Sequence, residues 1–245
     1  MDPIPLVCVP FAGAGASFFY PWNEMAGEEI EIVGVQPPGR EWRIAEEPYR
    51  GVIEAADGLF PEIATELGWA GPVILFGHSL GAVLAYELAH RFCAQPDFEV
   101  ARLIVSGSPP PWTRRTRRAT GLPDAEFLDR VSEFAGYDDE TLRNPEVREL
   151  ILPTLRADVE MHEDYLPSGP EPLPAPITSL RGRGDQLVTT ESAAEWAEAT
   201  SLDFEFAELP GGHMYLVDDP DHVLGVAEDV AREWQGVYGQ TASAR

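Results

Sequence analysis

The fold is decided by the stretch VILFGHSLG, residues 73–81. Its first four residues are apolar and half of them are β-branched, which is typical of a buried parallel strand. Residues 77–81 then match the pattern G-x-S-x-G, and the Ala- and Leu-rich run Ala82–Phe92 predicts a helix directly after them. A sharp turn between strand and helix lifts the serine hydroxyl clear of the sheet, and a side chain at Gly77 or Gly81 would crowd the neighbouring strand or helix. Ser79 is therefore predicted to be a nucleophile.

Strand and helix patterns alternate along the rest of the chain. Strands are predicted at Leu6–Val9, Glu31–Val35, Val73–Phe76, Leu103–Ser106, Ile177–Arg181 and Phe204–Glu208. Helices are predicted at Tyr49–Leu67, Ala82–Phe92, Ser192–Ala199 and Val223–Trp234. The alternation indicates the α/β class, with a mostly parallel central sheet flanked by helices, and the serine turn makes this an α/β-hydrolase fold.

One interval breaks the alternation. About 70 residues separate the strand that ends at Ser106 from the strand that starts at Ile177, which is too long for a plain connection. One helix pattern follows Asp124, a predicted N-cap, and a second opens at Asn144-Pro145. An insertion at this point would lie above the carboxyl ends of the strands, where ligands bind. We expect a single domain over residues 1–245 with a helical lid insertion at about residues 109–172.

Composition limits the classes of function. The net charge of −25, from 17 basic and 42 acidic residues, argues against non-specific binding of nucleic acid. No run approaches the roughly 18 apolar residues of a membrane helix, and the N-terminus has no pattern of a secretion signal. Cys8 and Cys93 are expected to be reduced thiols, and no cluster has metal-ligand spacing. We expect a cytoplasmic monomer without a metal or an organic cofactor.

A nucleophilic serine needs a general base, and the chain has five histidines. His213 follows the last predicted strand through Pro210-Gly211-Gly212, so its side chain would reach the carboxyl edge of the sheet. In this architecture the histidine is also the last of the three catalytic residues along the chain. His213 is therefore predicted to be the base, and its alternative role is that of a structural loop histidine.

An acid should orient that histidine from the loop after the preceding strand. The predicted strand Ile177–Arg181 runs into Gly182-Arg183-Gly184-Asp185, where the glycines allow a tight turn. Asp185 is therefore the predicted third catalytic residue, with a helix-capping turn aspartate as its alternative role. Asp218 and Asp219 are the reserve candidates for the acid.

Two backbone N–H groups are needed to bind the oxyanion. One is predicted to be the amide of Leu80, at the start of a helix whose dipole favours negative charge. The other should come from the loop after the first strand, where the Ala12 amide is preferred over that of Phe11. The same loop contains G-x-G but lacks the third glycine of a dinucleotide-binding fingerprint, so nucleotide binding is not expected.

Several further stretches carry a family resemblance. They are PFAGAGAS at 10–17 with Trp22, QPPGRE at 36–41 with Arg43 and Glu47-Pro48, Leu122-Pro123 with Glu126-Phe127-Leu128, Leu152-Pro153 with LRAD at 155–158, and GGHMYL at 211–216. With them the chain resembles, nearly end to end, the type II thioesterases, which are free-standing editing enzymes of polyketide synthases and non-ribosomal peptide synthetases. Three positions depart from the usual residues of that family: Pro37 replaces Leu, Leu80 replaces Met and Met214 replaces Phe.

The resemblance implies a substrate and a partner. The substrate would be an acyl group on the phosphopantetheine thiol of an acyl or peptidyl carrier protein, and the role would be to release stalled or wrong acyl groups. Carrier proteins are generally acidic, so an enzyme of charge −25 is expected to dock them through a local basic patch or through apolar contacts. The cluster of arginines at 114–118 is either such a patch or a solvated loop. The candidates are Arg114, Arg115, Arg117 and Arg118.

Three other functions stay open from the sequence. A general carboxylesterase or lipase shares the fold, but the chain lacks an HGGG loop and has the lid motifs. A chain-releasing thioesterase domain of a larger synthase would be preceded by a carrier domain, whereas the first predicted strand follows closely on Met1. A non-catalytic relic would not be expected to keep Ser79, Asp185 and His213 together.

Overall fold

Within residues 2–135 and 144–242, which the computed structural model describes, six parallel strands form one sheet in the order β2-β1-β3-β4-β5-β6. The strands are β1 (Ile4–Val9), β2 (Ile30–Gly34), β3 (Gly71–His78), β4 (Phe98–Ser106), β5 (Ile177–Gly182) and β6 (Phe204–Leu209). Every pair of neighbouring strands is parallel. All six predicted strands are confirmed, as is the parallel sheet.

Helices cover both faces of this sheet. They are α1 (Trp22–Met25), α2 (Val52–Glu66), α3 (Leu80–Cys93), α4 (Asp124–Ala135), α5 (Pro145–Glu163), α6 (Thr190–Ala194), α7 (Tyr215–Asp218) and α8 (Asp221–Ala242). The predicted single helix Ser192–Ala199 is wrong, because α6 gives way to a 3-10 helix at Glu195–Ala199. Among the described residues, no helix has the length and apolar character needed to cross a membrane.

The alternation of side chains along the buried strands builds two hydrophobic cores. Val7 and Val9 of β1 pack with Leu75 of β3 on one face of the sheet, which α2 and α3 cover. Leu6 and Cys8 of β1 pack on the other face, which α8 covers. Because successive side chains point to opposite faces, a strand buried on both sides is mostly apolar, and this explains the apolar runs of β1 and of residues 73–76 in β3.

The chain between β4 and β5, residues 107–176, contains α4 and α5 and is called the β4–β5 insertion below. The Asn144 side chain caps α5 by accepting a hydrogen bond from the Glu146 N–H at 3.0 Å, as the sequence predicts. Asp124 is the first residue of α4, so its predicted role as N-cap is wrong by one position. Phe127 of α4 and Leu155 of α5 belong to a third, smaller hydrophobic cluster, which holds the two helices together.

A buried ion pair ties α5 to the sheet. Arg40 binds Asp158 in a two-pronged contact, with Nη1 at 2.7 Å from Oδ2 and Nη2 at 2.8 Å from Oδ1. The side chains are only 10% and 1% exposed. Asp158 Oδ2 also accepts from the Gly13 N–H at 2.8 Å, and Arg40 Nη1 donates to the Ala14 carbonyl at 3.0 Å. The loops after β1 and β2 and helix α5 are therefore fastened to one another.

Replacing Asp158 with Ala is expected to lower the free energy of unfolding by about 3–5 kcal/mol, because the Arg40 charge would stay buried without its partner. Glu160→Ala is the matched control on the same helix. It removes a 3.0 Å ion pair between Glu160 and Arg50, whose side chains are 41% and 65% exposed, respectively. That loss should cost at most about 1 kcal/mol. Urea unfolding measures both variants, and equal losses would contradict the role of the buried pair.

Candidate active site

The backbone at Ser79 is held in an unusual conformation. β3 ends at His78 and α3 begins at Leu80, so Ser79 makes the whole turn with φ 54° and ψ −113°. This is a strained region for a residue with a side chain. A Cβ at Gly77 would lie 2.0 Å from the Gly81 carbonyl oxygen, and a Cβ at Gly81 would lie 2.3 Å from the Val9 carbonyl oxygen. Both glycines are therefore needed where the sequence places them.

His213 and Asp185 meet through two loops that pair at the carboxyl edge of the sheet. Asp185 follows β5 and His213 follows β6, and the Gly184 N–H donates to the Gly211 carbonyl at 2.8 Å across the two loops. A Cβ at Gly182 would lie 2.1 Å from the Gly212 carbonyl oxygen, so the backbones of the two loops are in close contact. His213 Nδ1 lies 2.8 Å from Asp185 Oδ2.

The Asp185 carboxylate is fixed at both oxygens. Oδ2 faces His213, and Oδ1 accepts from the Leu187 N–H at 2.8 Å and the Val188 N–H at 3.1 Å. Burial alone would raise the pKa of this carboxyl, but the hydrogen bond and charge of His213 and the two backbone N–H groups outweigh it and hold the pKa below its ordinary value. Asp185 is therefore an anion at neutral pH, and it favours the His213 tautomer that carries its proton on Nδ1.

The reserve acids lie elsewhere. Asp219 Oδ2 is 3.4 Å from His222 Nδ1, and its Oδ1 accepts from the Asp221 N–H at 3.2 Å. Asp218, at the end of α7, is exposed. The structure thus brings only Asp185, of the three acids considered, to His213.

Ser79 and His213 line one cavity of about 450 Å³. The loop after β1 contributes Phe11 and Ala12 to its wall, and the β4–β5 insertion contributes mostly apolar side chains, among them Leu155. A cavity of this lining can hold an apolar group next to the serine hydroxyl.

The predicted oxyanion donors come from the two segments expected, the start of α3 and the loop after β1. Leu80 is the first residue of α3, so its N–H is one of the unpaired donors at a helix N-terminus. On the other side, Ala12 and Phe11 line the cavity. The two amides after Ala12 are already used, since Gly13 donates to Asp158 at 2.8 Å and Ala14 donates to the Phe11 carbonyl at 3.0 Å.

A polar chain behind the site was not predicted from the sequence. His78 Nδ1 lies 2.9 Å from Ser106 Oγ, which lies 2.7 Å from the Tyr215 hydroxyl. Burial, with the nearby charges of His213 and Arg115, holds the pKa of His78 well below its ordinary value, so this ring is neutral. Its centroid is 4.9 Å from that of His213, which it supports from one side. In the sequence, this chain of polar contacts is indicated by Ser106, a serine at the carboxyl end of an apolar strand.

The four arginines predicted to dock a partner do not form one surface patch. Arg114 is exposed, and Arg117 and Arg118 are exposed but paired with acidic side chains of α4 and of the end of α5. Arg115 instead lines the cavity, and its Nη2 is 3.0 Å from His162 Nε2. The prediction that Arg115 belongs to an outward-facing patch is therefore wrong, because its side chain turns inward and lines the cavity.

Comparison with known proteins agrees with this geometry. Residues 4–232 match the family model described as thioesterase domain. The gramicidin S biosynthesis protein GrsT of Aneurinibacillus migulanus is 33% identical over 87% of this chain and 83% of its own length. Thioesterase PikA5 of Streptomyces venezuelae is 36% identical over 88% of this chain and 76% of its own. The solved structure of the type II thioesterase BorB from the borrelidin biosynthetic cluster superposes with a TM-score of 0.85 at 33% identity, covering 94% of this chain and 93% of that one. The chain therefore belongs to the thioesterase family and has its α/β-hydrolase fold.

Proposed function

We propose that this protein is an editing thioesterase, which hydrolyses acyl or aminoacyl thioesters from the phosphopantetheine arm of carrier proteins in polyketide or non-ribosomal peptide assembly. The observation that carries the proposal is the His213–Asp185 pair, 2.8 Å apart, on the same cavity as the strained Ser79. The proposed substrate class is supported by the relatives named above, which include a type II thioesterase and a gramicidin S biosynthesis protein.

The first half of the reaction would transfer the acyl group to the enzyme. Ser79 Oγ attacks the thioester carbonyl while its proton passes to His213 Nε2. Asp185 stabilises the resulting imidazolium. The amides of Leu80 and Ala12, with that of Phe11 as the alternative, stabilise the oxyanion. The C–S bond then breaks, and the pantetheine thiol leaves with the proton from His213.

The second half would return the enzyme to its starting state. His213 removes a proton from water, and the water oxygen attacks the carbonyl of the acyl-serine ester. The ester C–O bond breaks, Ser79 recovers its proton from His213, and the free acid departs. The whole cycle consumes one thioester and one water and releases one thiol and one free acid. Ser79 and His213 return to their starting states, so these steps use no cofactor.

We further propose that residues 109–172 act as a lid over the cavity. Support comes from the position of α5, whose side chains Ile151 and Leu155 line the cavity together with Ser79. The proposed partner, a carrier protein of a biosynthetic assembly line, implies that the enzyme works in the cytoplasm. A monomer remains our expectation.

Ser79→Ala is expected to lower the rate of deacylation of an acyl-loaded carrier protein by at least about a thousandfold, because the acyl group would have no acceptor. Intact-protein mass measures the acyl group remaining on the carrier. If wild type and the variant both left the acyl group in place while wild type still cleaved p-nitrophenyl esters, the carrier substrate would be wrong and a general esterase would replace it.

Asp185→Asn is expected to reduce kcat by about ten-thousandfold, because the amide no longer favours the His213 tautomer with a free Nε2. The matched controls are Asp218→Asn and Asp219→Asn, which change the same group outside the cavity. A continuous thiol-release assay with a small acyl thioester measures all three. A loss in either control comparable to that of Asp185→Asn would reassign the acid.

The combined change of Arg114, Arg117 and Arg118 to Ala is expected to raise KM for an acyl-carrier substrate at low salt. We propose that these exposed cations attract an acidic partner, although two of them also pair with acidic side chains of the chain itself. Such attraction is screened by salt. Arg115 is left in place because it lines the cavity. The readout is the ratio of kcat/KM for the carrier-bound thioester to that for the same acyl group on N-acetylcysteamine. An unchanged ratio at low salt would remove these residues from the docking surface.

A further inference from the structure

Ser106, the buried last residue of β4, is bonded to both of the segments that carry Ser79 and His213. Its carbonyl accepts from the Ser79 N–H at 2.8 Å. Its Oγ lies 2.9 Å from His78 Nδ1 and 2.7 Å from the Tyr215 hydroxyl. His78 directly precedes Ser79 in the chain, and Tyr215 follows His213 by two positions. One serine therefore links the turn of the nucleophile to the loop of the base.

The ring of His78 is oriented by a single hydrogen bond. Nδ1 contacts Ser106, whereas the buried Nε2 has no hydrogen-bond partner in the part of the chain that the structure describes. Gly107, with φ 54°, makes room for the ring, since a Cβ there would lie 2.4 Å from His78 Cε1. Rotation of a histidine ring about its Cβ–Cγ bond has only broad preferences of its own. The orientation of His78 therefore depends on the Ser106 hydroxyl.

The His78 ring in turn limits the movement of His213. The two ring centroids are 4.9 Å apart, and the ring planes are inclined by 51°. Asp185 holds His213 at one atom, Nδ1, which leaves the ring able to tilt about that bond. Contact with His78 restricts the tilt. His78 is neutral, so it does not add a second positive charge beside the imidazolium that His213 would become.

Tyr215 fastens the loop of His213 to the same serine. It is the first residue of α7 and is 4% exposed. A buried tyrosine hydroxyl normally has a hydrogen-bond partner, and here the partner is Ser106 Oγ. The Tyr215 ring also meets His78 edge to face, with centroids 6.2 Å apart. Its hydroxyl therefore fixes both the loop and the serine that orients His78.

We propose that Ser106 and Tyr215 are positioning residues, which act through His78 to set the placement of His213 relative to Ser79. This inference rests on the proposed roles of Ser79 and His213 in the reaction. Neither Ser106 nor Tyr215 lines the cavity, so their hydroxyls would not touch the substrate. Their loss should therefore change kcat and leave KM nearly the same.

The test removes each hydroxyl with Ser106→Ala and Tyr215→Phe. Each variant is expected to lower kcat for butyryl-N-acetylcysteamine by about tenfold to a hundredfold, because a small displacement of reacting groups slows the reaction strongly. The value of kcat is expressed per active site, counted from the endpoint of fluorophosphonate labelling of Ser79. Loss of folded protein then does not contribute to the result.

The matched controls remove the same groups from residues outside this chain of contacts. Ser108→Ala deletes a buried hydroxyl that donates to the Pro109 carbonyl at 3.1 Å. Tyr86→Phe deletes the hydroxyl of a 3% exposed tyrosine of α3, whose ring packs against Trp196. Both controls should keep the kcat of wild type. If Ser106→Ala and Tyr215→Phe matched them in kcat per active site, the inference would be overturned.

The double variant tests whether the two hydroxyls act through one chain. Its kcat is expected to equal that of Ser106→Ala, because effects on one chain of contacts are not additive. A loss equal to the product of the two single losses would overturn the inference. All variants are also compared on p-nitrophenyl butyrate. If wild type cleaved this ester but not the thioester, the proposed thioesterase function would be wrong, and the ester would still test the positioning role.

A spectroscopic measurement reports on His213 without any substrate. The proton on His213 Nδ1, which faces Asp185 Oδ2 at 2.8 Å, gives a downfield NMR signal that is identified by its loss in His213→Gln. This signal is expected to broaden in Ser106→Ala and Tyr215→Phe, because the ring can tilt, and to stay sharp in Ser108→Ala. An unchanged signal in the first two variants would overturn the inference.

Discussion

The position of Ser79 at the carboxyl edge of the sheet depends on the close approach of three backbone segments. β3, α3 and β1 meet where a Cβ at Gly77 or Gly81 would be 2.0 or 2.3 Å from a carbonyl oxygen. Only glycine allows such separations. Ser79 then takes a positive φ, and strain of this kind persists only where the surroundings hold it. The largely buried strands β1, β3 and β4 provide that rigidity, and the remaining groups of the site are arranged around the serine.

Burial gives each polar group of the site one charge state. His78 and His162 are neutral, Asp185 is an anion held by three donors, and Arg115 is a cation at neutral pH. Asp185 is held by hydrogen bonds from the protein and is proposed to orient His213, whereas Arg115 lines the cavity and contacts the neutral His162.

Local chemistry was enough to predict the strands and the serine turn. The strands β1 and β3 are buried on both faces and are mostly apolar, and no other residue fits at Gly77 and Gly81. Both features can therefore be recognised from short stretches of sequence. The juxtaposition of Asp185 and His213 followed from chain order, because the carboxyl ends of parallel strands share one edge.

Other features depend on tertiary placement that no local pattern encodes. Arg40 and Asp158 are 118 positions apart, and nothing in either stretch distinguishes a buried ion pair from two solvated charges. Likewise, four neighbouring arginines look equivalent in the sequence, but only Arg115 turns into the cavity. The 3-10 helix Glu195–Ala199 has helical spacing as well, so periodicity could not separate it from α6.

The Asp158 contact has a consequence for how substrate range can change. Asp158 accepts from Gly13, the residue next to Ala12, so the helix that walls the cavity and the loop proposed to bind the oxyanion move together. Enlarging the cavity by shifting α5 at this point would also displace the loop that carries the proposed oxyanion donor Ala12. If that proposal holds, a broader range of acyl groups would come with slower turnover. The cavity can still change in size through substitutions of lining side chains on α4, or on α5 at positions other than Asp158. Such substitutions leave the contact between Asp158 and Gly13 intact. Acyl preference in this enzyme is therefore free to diverge through side-chain size, while the position of the helix is constrained by catalysis.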